Sequence, residues 1–187
     1  RRQRQMCIRD RVHWHYRGHG ESEPPRDPEA VDIPDLRQDL ITVLDALALE
    51  RVVLMGHSMG VQLILDFALH FPERVAGLIP MCGSYGRPLD TFHDNKLLAI
   101  VFPHIRDLVM RWPRKAQWIW TNAIRSEAFY QVAMNVEVEG RLINRADFKP
   151  YFDHLARMDA RLFFKMLDKV RHHTVESRLH EISAPTL

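Results

Sequence analysis

Apolar residues recur along residues 12–87 with two spacings, one typical of helices and one typical of strands. Over residues 33–49 they recur every three or four positions, which predicts a helix with one apolar face. The short apolar run at 52–55 ends at a glycine and predicts a buried parallel strand. Residues 59–71 are apolar on nearly all sides, as in a buried helix, and the run at 75–81 predicts another strand.

A run of β-branched and aromatic residues at 12–16 predicts one more strand before these elements. A loop rich in Gly, Pro and Glu, residues 17–32, joins it to the first helix. The predicted order is therefore strand, helix, strand, helix, strand. This order is typical of an α/β fold with a mainly parallel sheet and crossover helices.

The pattern changes after residue 87. Residues 88–180 show helical periodicity and concentrate many aromatic side chains, which predicts an all-helical cap inserted after the core of residues 12–87. Most of these aromatic residues are expected to form the interior of the cap itself. Residues 181–187 are predicted to begin a further, truncated core strand. Three prolines divide the helical segment: Pro103, Pro113 and Pro150.

The first eleven residues differ from the rest of the chain. They include five arginines, one acidic residue and no long apolar run. Residues 1–10 resemble a translated sequencing adaptor, residue for residue, whereas the alternative is a natural basic arm for nucleic acid or anionic lipid. We expect residues 1–11 to be an adaptor-derived artefact and exclude them from the fold argument.

The composition is that of a globular protein, with 46% hydrophobic and 27% charged residues. Without residues 1–11 the basic residues fall from 26 to 21 and the acidic residues from 24 to 23, so the formal net charge changes from +2 to −2. We therefore expect no nucleic-acid partner. No apolar run reaches the roughly 18 residues of a membrane span. Cys82 is left without a disulfide partner, and a cytoplasmic location is the default expectation.

The pattern that indicates chemistry is Gly-x-Ser-x-Gly at residues 56–60, between the predicted strand 52–55 and the predicted helix 59–71. This context is typical of a nucleophile elbow, a strained turn that lifts a serine hydroxyl above the carboxyl ends of the strands. We predict that Ser58 is the nucleophile. The backbone N–H of Met59, at the start of the helix, is predicted to bind an oxyanion.

The neighbouring residues of the motif have supporting roles. Gly56 and Gly60 are predicted to let strand and helix approach closely, since a side chain would fill the space between them. His57 is too close in sequence to Ser58 for its ring to reach the hydroxyl in triad geometry. We expect His57 to be a wall of the substrate pocket.

Two further segments support a family resemblance: Tyr-Arg-Gly-His-Gly-Glu-Ser at residues 16–22 and Phe-Pro-Glu-Arg-Val at residues 71–75. With the elbow, they make residues 12–87 similar to the α/β-hydrolase superfamily, in its esterase/lipase-like branch. The resemblance implies a triad in the chain order Ser, Asp or Glu, His, with the acid and the histidine beyond residue 187. It also implies a second oxyanion donor before residue 12. The chain is therefore expected to be a fragment truncated at both ends.

The resemblance implies a serine hydrolase that uses no cofactor and forms an acyl-enzyme with a small-molecule carboxylic ester. An apolar acyl or alcohol part is expected in the substrate. Two alternatives stay open: an acyltransferase or perhydrolase, and a non-catalytic member that binds a ligand in the capped pocket. The fragment is expected to be inactive. It is also expected to be poorly soluble, because a strand at 12–16 would expose unpaired parallel edges.

Eleven histidines raise the question of a metal site. His13, His15 and His19 are close in sequence, as are His172 and His173. No cysteine pair and no His-Glu-x-x-His motif accompanies them, so we expect no bound metal.

Two acidic residues and one arginine complete the candidates. Asp90 and Asp94 follow the strand after the elbow, where some members of the family have the triad acid. A helix-capping or solvated role is the favoured interpretation of both. Arg17 is expected to hold the loop 17–32 through hydrogen bonds of its guanidinium.

Overall fold

A computed structural model of the chain describes residues 11–88, 96–136 and 145–187. In these ranges a two-stranded parallel sheet pairs β1 (Val52–His57) with β2 (Val75–Met81). Both strands were predicted from their apolar runs, and both are confirmed. The adaptor-like segment, apart from Arg11, lies outside the described residues.

Helices precede, separate and follow the two strands. None of the described helices is long and apolar enough to cross a membrane. The described helices are α1 (Ile33–Ala46), α2 (Met59–His70), α3 (Lys96–Arg111), α4 (Pro113–Ile124), α5 (Glu127–Val136), α6 (Arg145–Arg157) and α7 (Ala160–Val170), with 3₁₀ turns at Pro72–Arg74 and Glu176–Glu181.

The N-terminus of α1 is capped by a pair of carboxylates. Asp32 accepts a hydrogen bond from the Asp35 backbone N–H at 3.1 Å, and the Asp35 carboxylate accepts one from the Asp32 N–H at 3.2 Å. This reciprocal capping satisfies two donors that have no partner inside the helix. Pro34 fits the first turn, where no backbone donor is needed. The predicted start of the helix is confirmed.

The predicted end of this helix, at residue 49, is wrong. The helix stops at Ala46, because Ala48 adopts a φ of 53° and reverses the chain. The N–H of Leu49 then donates to the carbonyl of Leu44 at 2.9 Å, which closes the last turn. This pattern is a Schellman motif, with alanine at a position where glycine is usual.

The predicted strand at residues 12–16 is also wrong. These residues have no strand pairing in the described structure, since β1 is hydrogen-bonded to β2 and to no other described strand. A β-branched and aromatic run favours an extended backbone, but a strand also needs a ladder partner. Trp14 and Tyr16 instead pack edge to face, with ring centroids 5.1 Å apart, and cover the core beside α2.

The end of the chain approaches β2 at one point. Thr186 forms an isolated parallel bridge with Leu78, supported by hydrogen bonds from Leu78 N–H to the Pro185 carbonyl and from Leu187 N–H to the Leu78 carbonyl, at 2.8 and 3.1 Å. That residues 181–187 begin a core strand stays a prediction.

Buried apolar residues form two separate clusters. The larger one joins α1, α2 and the sheet, and it includes Met166 and Val170 of α7. The smaller one joins α4, α5 and α6 around Ile124, Phe152 and Ala156. The aromatic residues of α5 and α6 thus pack mainly on one another. The last helix contributes to the larger cluster and also packs against α3 and α4.

Candidate active site

Ser58 forms the single-residue junction between β1 and α2. Its backbone has φ 54° and ψ −119°, a conformation that costs a residue with a side chain free energy. The Ser58 N–H donates to the Met81 carbonyl at 3.0 Å, and the Ser58 carbonyl accepts from the Val61 N–H at 3.0 Å. These two bonds hold the turn in its strained form.

Glycine is required before this turn, and the position after it is tightly packed. A Cβ on Gly56 would collide with the carbonyl oxygen of Gly60, because β1 and α2 run almost in contact. A Cβ on Gly60 would lie 3.2 Å from the Tyr16 phenol oxygen. Both glycines are buried, as the close approach demands.

A third glycine at the turn was missed by the sequence argument. A Cβ on Gly83 would collide with the carbonyl oxygen of Ser58 and with the side chain of Val61. The segment after β2 therefore packs directly on the turn. The available signal was a lone glycine just after a predicted strand, which is typical of close backbone approach.

The Ser58 side chain is on the surface of this turn. Ser58 and His57 are exposed, and Met59 is half-buried at the first position of α2. A backbone N–H at that position has no acceptor inside the helix. It also lies at the positive end of the helix dipole. In this arrangement the exposed hydroxyl can attack a carbonyl carbon, and the N–H beside it can donate a hydrogen bond to the carbonyl oxygen that becomes negative.

No histidine or carboxylate of the described residues hydrogen-bonds the Ser58 hydroxyl. His57 is the last residue of β1, opposite Met81, and its role as a pocket wall stays a prediction. Asp90 and Asp94 lie outside the described residues. Within the described part of the chain, no group of three or more His, Cys, Asp or Glu side chains is placed to hold a metal ion.

A buried carboxylate paired with a histidine lies elsewhere on α2, at Asp66. Asp66 follows Ser58 by eight residues, roughly 12 Å along the helix at 1.5 Å per residue. Its carboxylate accepts from Arg37 at 2.6 Å and lies 3.3 Å from Nε2 of His173. Burial alone would raise the pKa of Asp66, but hydrogen bonds from His173 and Arg37 lower it below its usual value. The pair joins α2 to α1 and to the segment after α7.

Arg17 has the supporting role that was predicted for it. Its guanidinium donates two bonds to the carboxylate of Asp39 on α1, at 2.8 and 2.6 Å. A third bond reaches the carbonyl of Ala30 at 2.8 Å. The loop 17–32 is thereby fixed to α1 from both of its ends.

Tyr16 lies beside Gly60 of the Ser58 turn, and His19 of the loop packs on Tyr16. Their rings meet edge to face with centroids 5.8 Å apart. Burial raises the pKa of Tyr16 to about 12, so the phenol keeps its proton at neutral pH. Burial also lowers the pKa of His19, which favours the neutral imidazole. Neither side chain adds a charge next to the turn at neutral pH.

Comparison with known sequences assigns most of these elements to one family. The sequence model described as "alpha/beta hydrolase fold" matches residues 14–118, a range that includes both strands and the Ser58 turn. A protein of Caulobacter segnis named as the carbamate hydrolase RutD is 29% identical over 175 residues, which cover 89% of this chain and 61% of that protein. The bifunctional epoxide hydrolase 2 of Sus scrofa is 39% identical over 59 residues, 32% of this chain and 11% of that protein.

Comparison with solved structures gives the same fold. An esterase from Exiguobacterium antarcticum superposes with a TM-score of 0.62 at 19% identity, covering 91% of this chain and 59% of that one. The chain thus spans about three fifths of the length of the RutD relative and of this esterase.

Proposed function

The chain belongs to the alpha/beta hydrolase fold family, and from that premise we propose that it carries the nucleophile of a serine hydrolase acting on carboxylic esters. The observation that supports this most directly is the conformation of Ser58. A serine held at φ 54° between a parallel strand and a buried helix is strained and exposed, and backbone hydrogen bonds to Met81 and Val61 maintain it. The hydrolase and esterase relatives point to the same class of chemistry.

The proposed reaction uses two groups of this chain directly. The Ser58 oxygen attacks the ester carbonyl carbon, and its proton passes to a histidine that we expect outside residues 11–187. The carbonyl oxygen becomes negative and accepts a hydrogen bond from the Met59 N–H. The tetrahedral intermediate collapses to an acyl-enzyme, and the protonated histidine returns its proton to the departing alcohol. Water then attacks the acyl carbon and regenerates the Ser58 hydroxyl.

The substrate is proposed to be a small-molecule ester with an apolar acyl or alcohol part. The support comes from the helical segment, where large apolar side chains of α3 and α4 are exposed. Leu108 is 60% and Trp118 is 70% exposed. If these helices form the cap expected from the sequence, such side chains suit contact with a hydrocarbon group.

A second candidate substrate is a carbamate. The observation that favours it is the relative named as a carbamate hydrolase, which aligns with 89% of this chain. A carbamate carbonyl presents the same electrophilic carbon to Ser58, and the intermediate is then a carbamoyl-enzyme. The turn geometry serves both substrates, so the choice depends on measured rates.

The test uses the full-length protein, of which this chain is expected to be a fragment, and its Ser58→Ala variant. Both are assayed on p-nitrophenyl butyrate and on a matched p-nitrophenyl carbamate. We expect faster turnover of the ester and a loss of at least about 10³-fold in kcat/KM on Ser58→Ala. Ser183→Ala, at an exposed serine away from the turn, should retain full activity. The 187-residue chain alone is expected to be inactive.

Two results would contradict the proposal. Ester turnover that persists in Ser58→Ala would remove Ser58 as the nucleophile. Turnover of the carbamate and not of the ester would replace the ester by the carbamate as the substrate class.

A further inference from the structure

A cavity of about 720 Å³ lies between the loop 17–32 and the helices α6 and α7. Residues 18–28 line one side and residues 154–165 line the other. Neither Ser58 nor its neighbours in the turn are among the lining residues. A molecule in this cavity would therefore not contact the proposed nucleophile.

Two of the three basic residues on the helical side already have acidic partners. The Arg161 guanidinium donates to the Asp159 carboxylate at 2.8 Å. Lys165 pairs with Glu29 at the outer edge of the loop. The Lys165–Glu29 pair joins α7 to the loop, and both pairs leave little free positive charge of their own.

Arg157 is different. Its Nε donates to the backbone carbonyl of Asp153 at 3.0 Å, and no carboxylate of the described residues lies within 4 Å of its guanidinium. The two terminal nitrogens are thus available to a ligand. Two parallel N–H donors match the geometry of a carboxylate. The Glu21 carboxylate also lines the cavity, which disfavours a ligand with two negative charges.

The rest of the lining is mainly apolar. Met158 is 7% exposed and Leu162 is half-buried, so both present hydrocarbon surface to the interior of the cavity. Pro24, Pro25 and Pro28 supply the opposite wall. A cavity of several hundred Å³ with apolar walls and one free cation has the usual make-up of a small-molecule site.

The two walls are held in fixed positions. Gly18 has φ 70° and lies so close to Leu162 that a Cβ would collide with the leucine side chain. Arg17, next to it, is bonded to Asp39 and to Ala30. A ligand would therefore enter a cavity that already has its shape, at a small cost in ordering.

We propose that this cavity is a binding site for a monocarboxylate with an apolar body, with Arg157 holding the carboxylate and Met158, Leu162 and the prolines enclosing the hydrocarbon part. The site is independent of the Ser58 turn. It would let an organic acid occupy the molecule while the proposed nucleophile stays accessible.

The test uses the 187-residue chain with ¹³C-labelled methionine methyl groups, titrated with hexanoate and followed by NMR. The Met158 methyl signal, assigned with Met158→Leu, should shift and saturate. Hexanamide has the same size without the charge, and acetate has the charge without the hydrocarbon. Both are expected to bind about tenfold more weakly than hexanoate.

Matched variants separate this site from its surroundings. Arg157→Gln should weaken hexanoate binding about tenfold, whereas Arg114→Gln, at an exposed arginine of α4 away from the cavity, and Ser58→Ala should not change it. The thermal midpoint of Arg157→Gln should stay close to that of the parent, since the guanidinium pairs with no carboxylate of the described residues and its one bond, to the Asp153 carbonyl, is exposed. Equal binding of hexanoate and hexanamide, or no saturable Met158 shift with hexanoate, overturns the proposal. Failure of the esterase assay leaves this result unaffected.

Discussion

At the scale of single residues, the motif at 56–60 predicted the structure of its own segment, the turn at Ser58, in more detail than any other motif of the chain. The strain at Ser58 and the presence of glycine at 56 and 60 follow from the motif together with the strand before it and the helix after it, because strand and helix must meet at one residue. Gly83 could not be found in the same way. Its role depends on where the segment after β2 folds back, which a local pattern does not specify.

The strain at Ser58 leads to a prediction about stability. Ser58→Gly should raise the free energy of unfolding by about 1 kcal/mol, because glycine adopts φ 54° without the steric cost that serine bears. Ser58→Ala keeps a side chain at the same φ and should leave stability almost unchanged. Urea unfolding of the two variants and the parent measures the difference.

This pair also separates strain from chemistry. Both variants lack the Ser58 hydroxyl, so the full-length protein should lose its esterase activity with either substitution. Equal stability of the glycine and alanine variants would show that the positive φ at Ser58 is not strained.

At the scale of elements, the sequence predicted helices and strands correctly where neighbouring residues determine them. It failed where a special backbone conformation or a distant pairing partner determines them. The start of α1 at residue 33 followed from its apolar periodicity, and the two strands of the sheet followed from their apolar runs. The end of α1 was wrong because an alanine takes a positive φ there. The strand at 12–16 was wrong because β-propensity does not supply a ladder partner.

The end of α1 gives the prediction at this scale. Ala48 has φ 53° at the position of the Schellman motif that glycine usually occupies. Ala48→Gly should therefore stabilise the protein by about 0.5–1 kcal/mol, because the Cβ strain disappears and both closing hydrogen bonds remain. The change is measured as a rise in thermal midpoint.

The control is Ala46→Gly, two residues earlier and still inside α1. There glycine loses helix propensity without relieving any strain, so the midpoint should fall. If both substitutions lower the midpoint, then the left-handed conformation of Ala48 has no cost and the explanation for the end of the helix is incorrect.

At the scale of the whole molecule, the sheet is covered on one face and open on the other within the described residues. Leu54 and Leu78 are buried under α1 and α2, whereas Val53 is 55% and Met55 is 62% exposed. Parallel sheets are normally covered on both faces. The expected poor solubility stays a prediction, and the exposed face of β1 is now its most direct physical reason.

The end of the helical segment shares an interior with the sheet-bearing part. α7 contributes Met166 and Val170 to the larger cluster, and Gln62 of α2 donates hydrogen bonds to the carbonyls of Val170 and His173 at 3.2 and 3.0 Å. The division into a core of residues 12–87 and a helical cap of residues 88–180 stays a prediction. The spacing of apolar residues indicates where strands give way to helices, but it does not specify which of these elements pack against each other.

The buried carboxylate of Asp66 should make this shared interior sensitive to acid. Its pKa in the folded protein lies below the usual 3.8, so the ion pair stabilises the fold fully above pH 3.8 and its contribution is lost as the pH falls through the folded value.

Asp66→Asn should cost about 2 kcal/mol at pH 7, because Arg37 and His173 keep their donors and lose the charge they face. Once the pH falls below the folded pKa, the parent carboxylate is itself protonated, so the two proteins should become similar in stability. Urea unfolding at pH 7 and at successively lower pH measures the difference in the free energy of unfolding between the two proteins. The control is Asp45→Asn, at a 61%-exposed carboxylate paired with Arg74, which should change stability by less than about 1 kcal/mol at every pH. A gap between parent and Asp66→Asn that stays constant with pH would mean that the charge of Asp66 does not hold α1, α2 and the segment after α7 together.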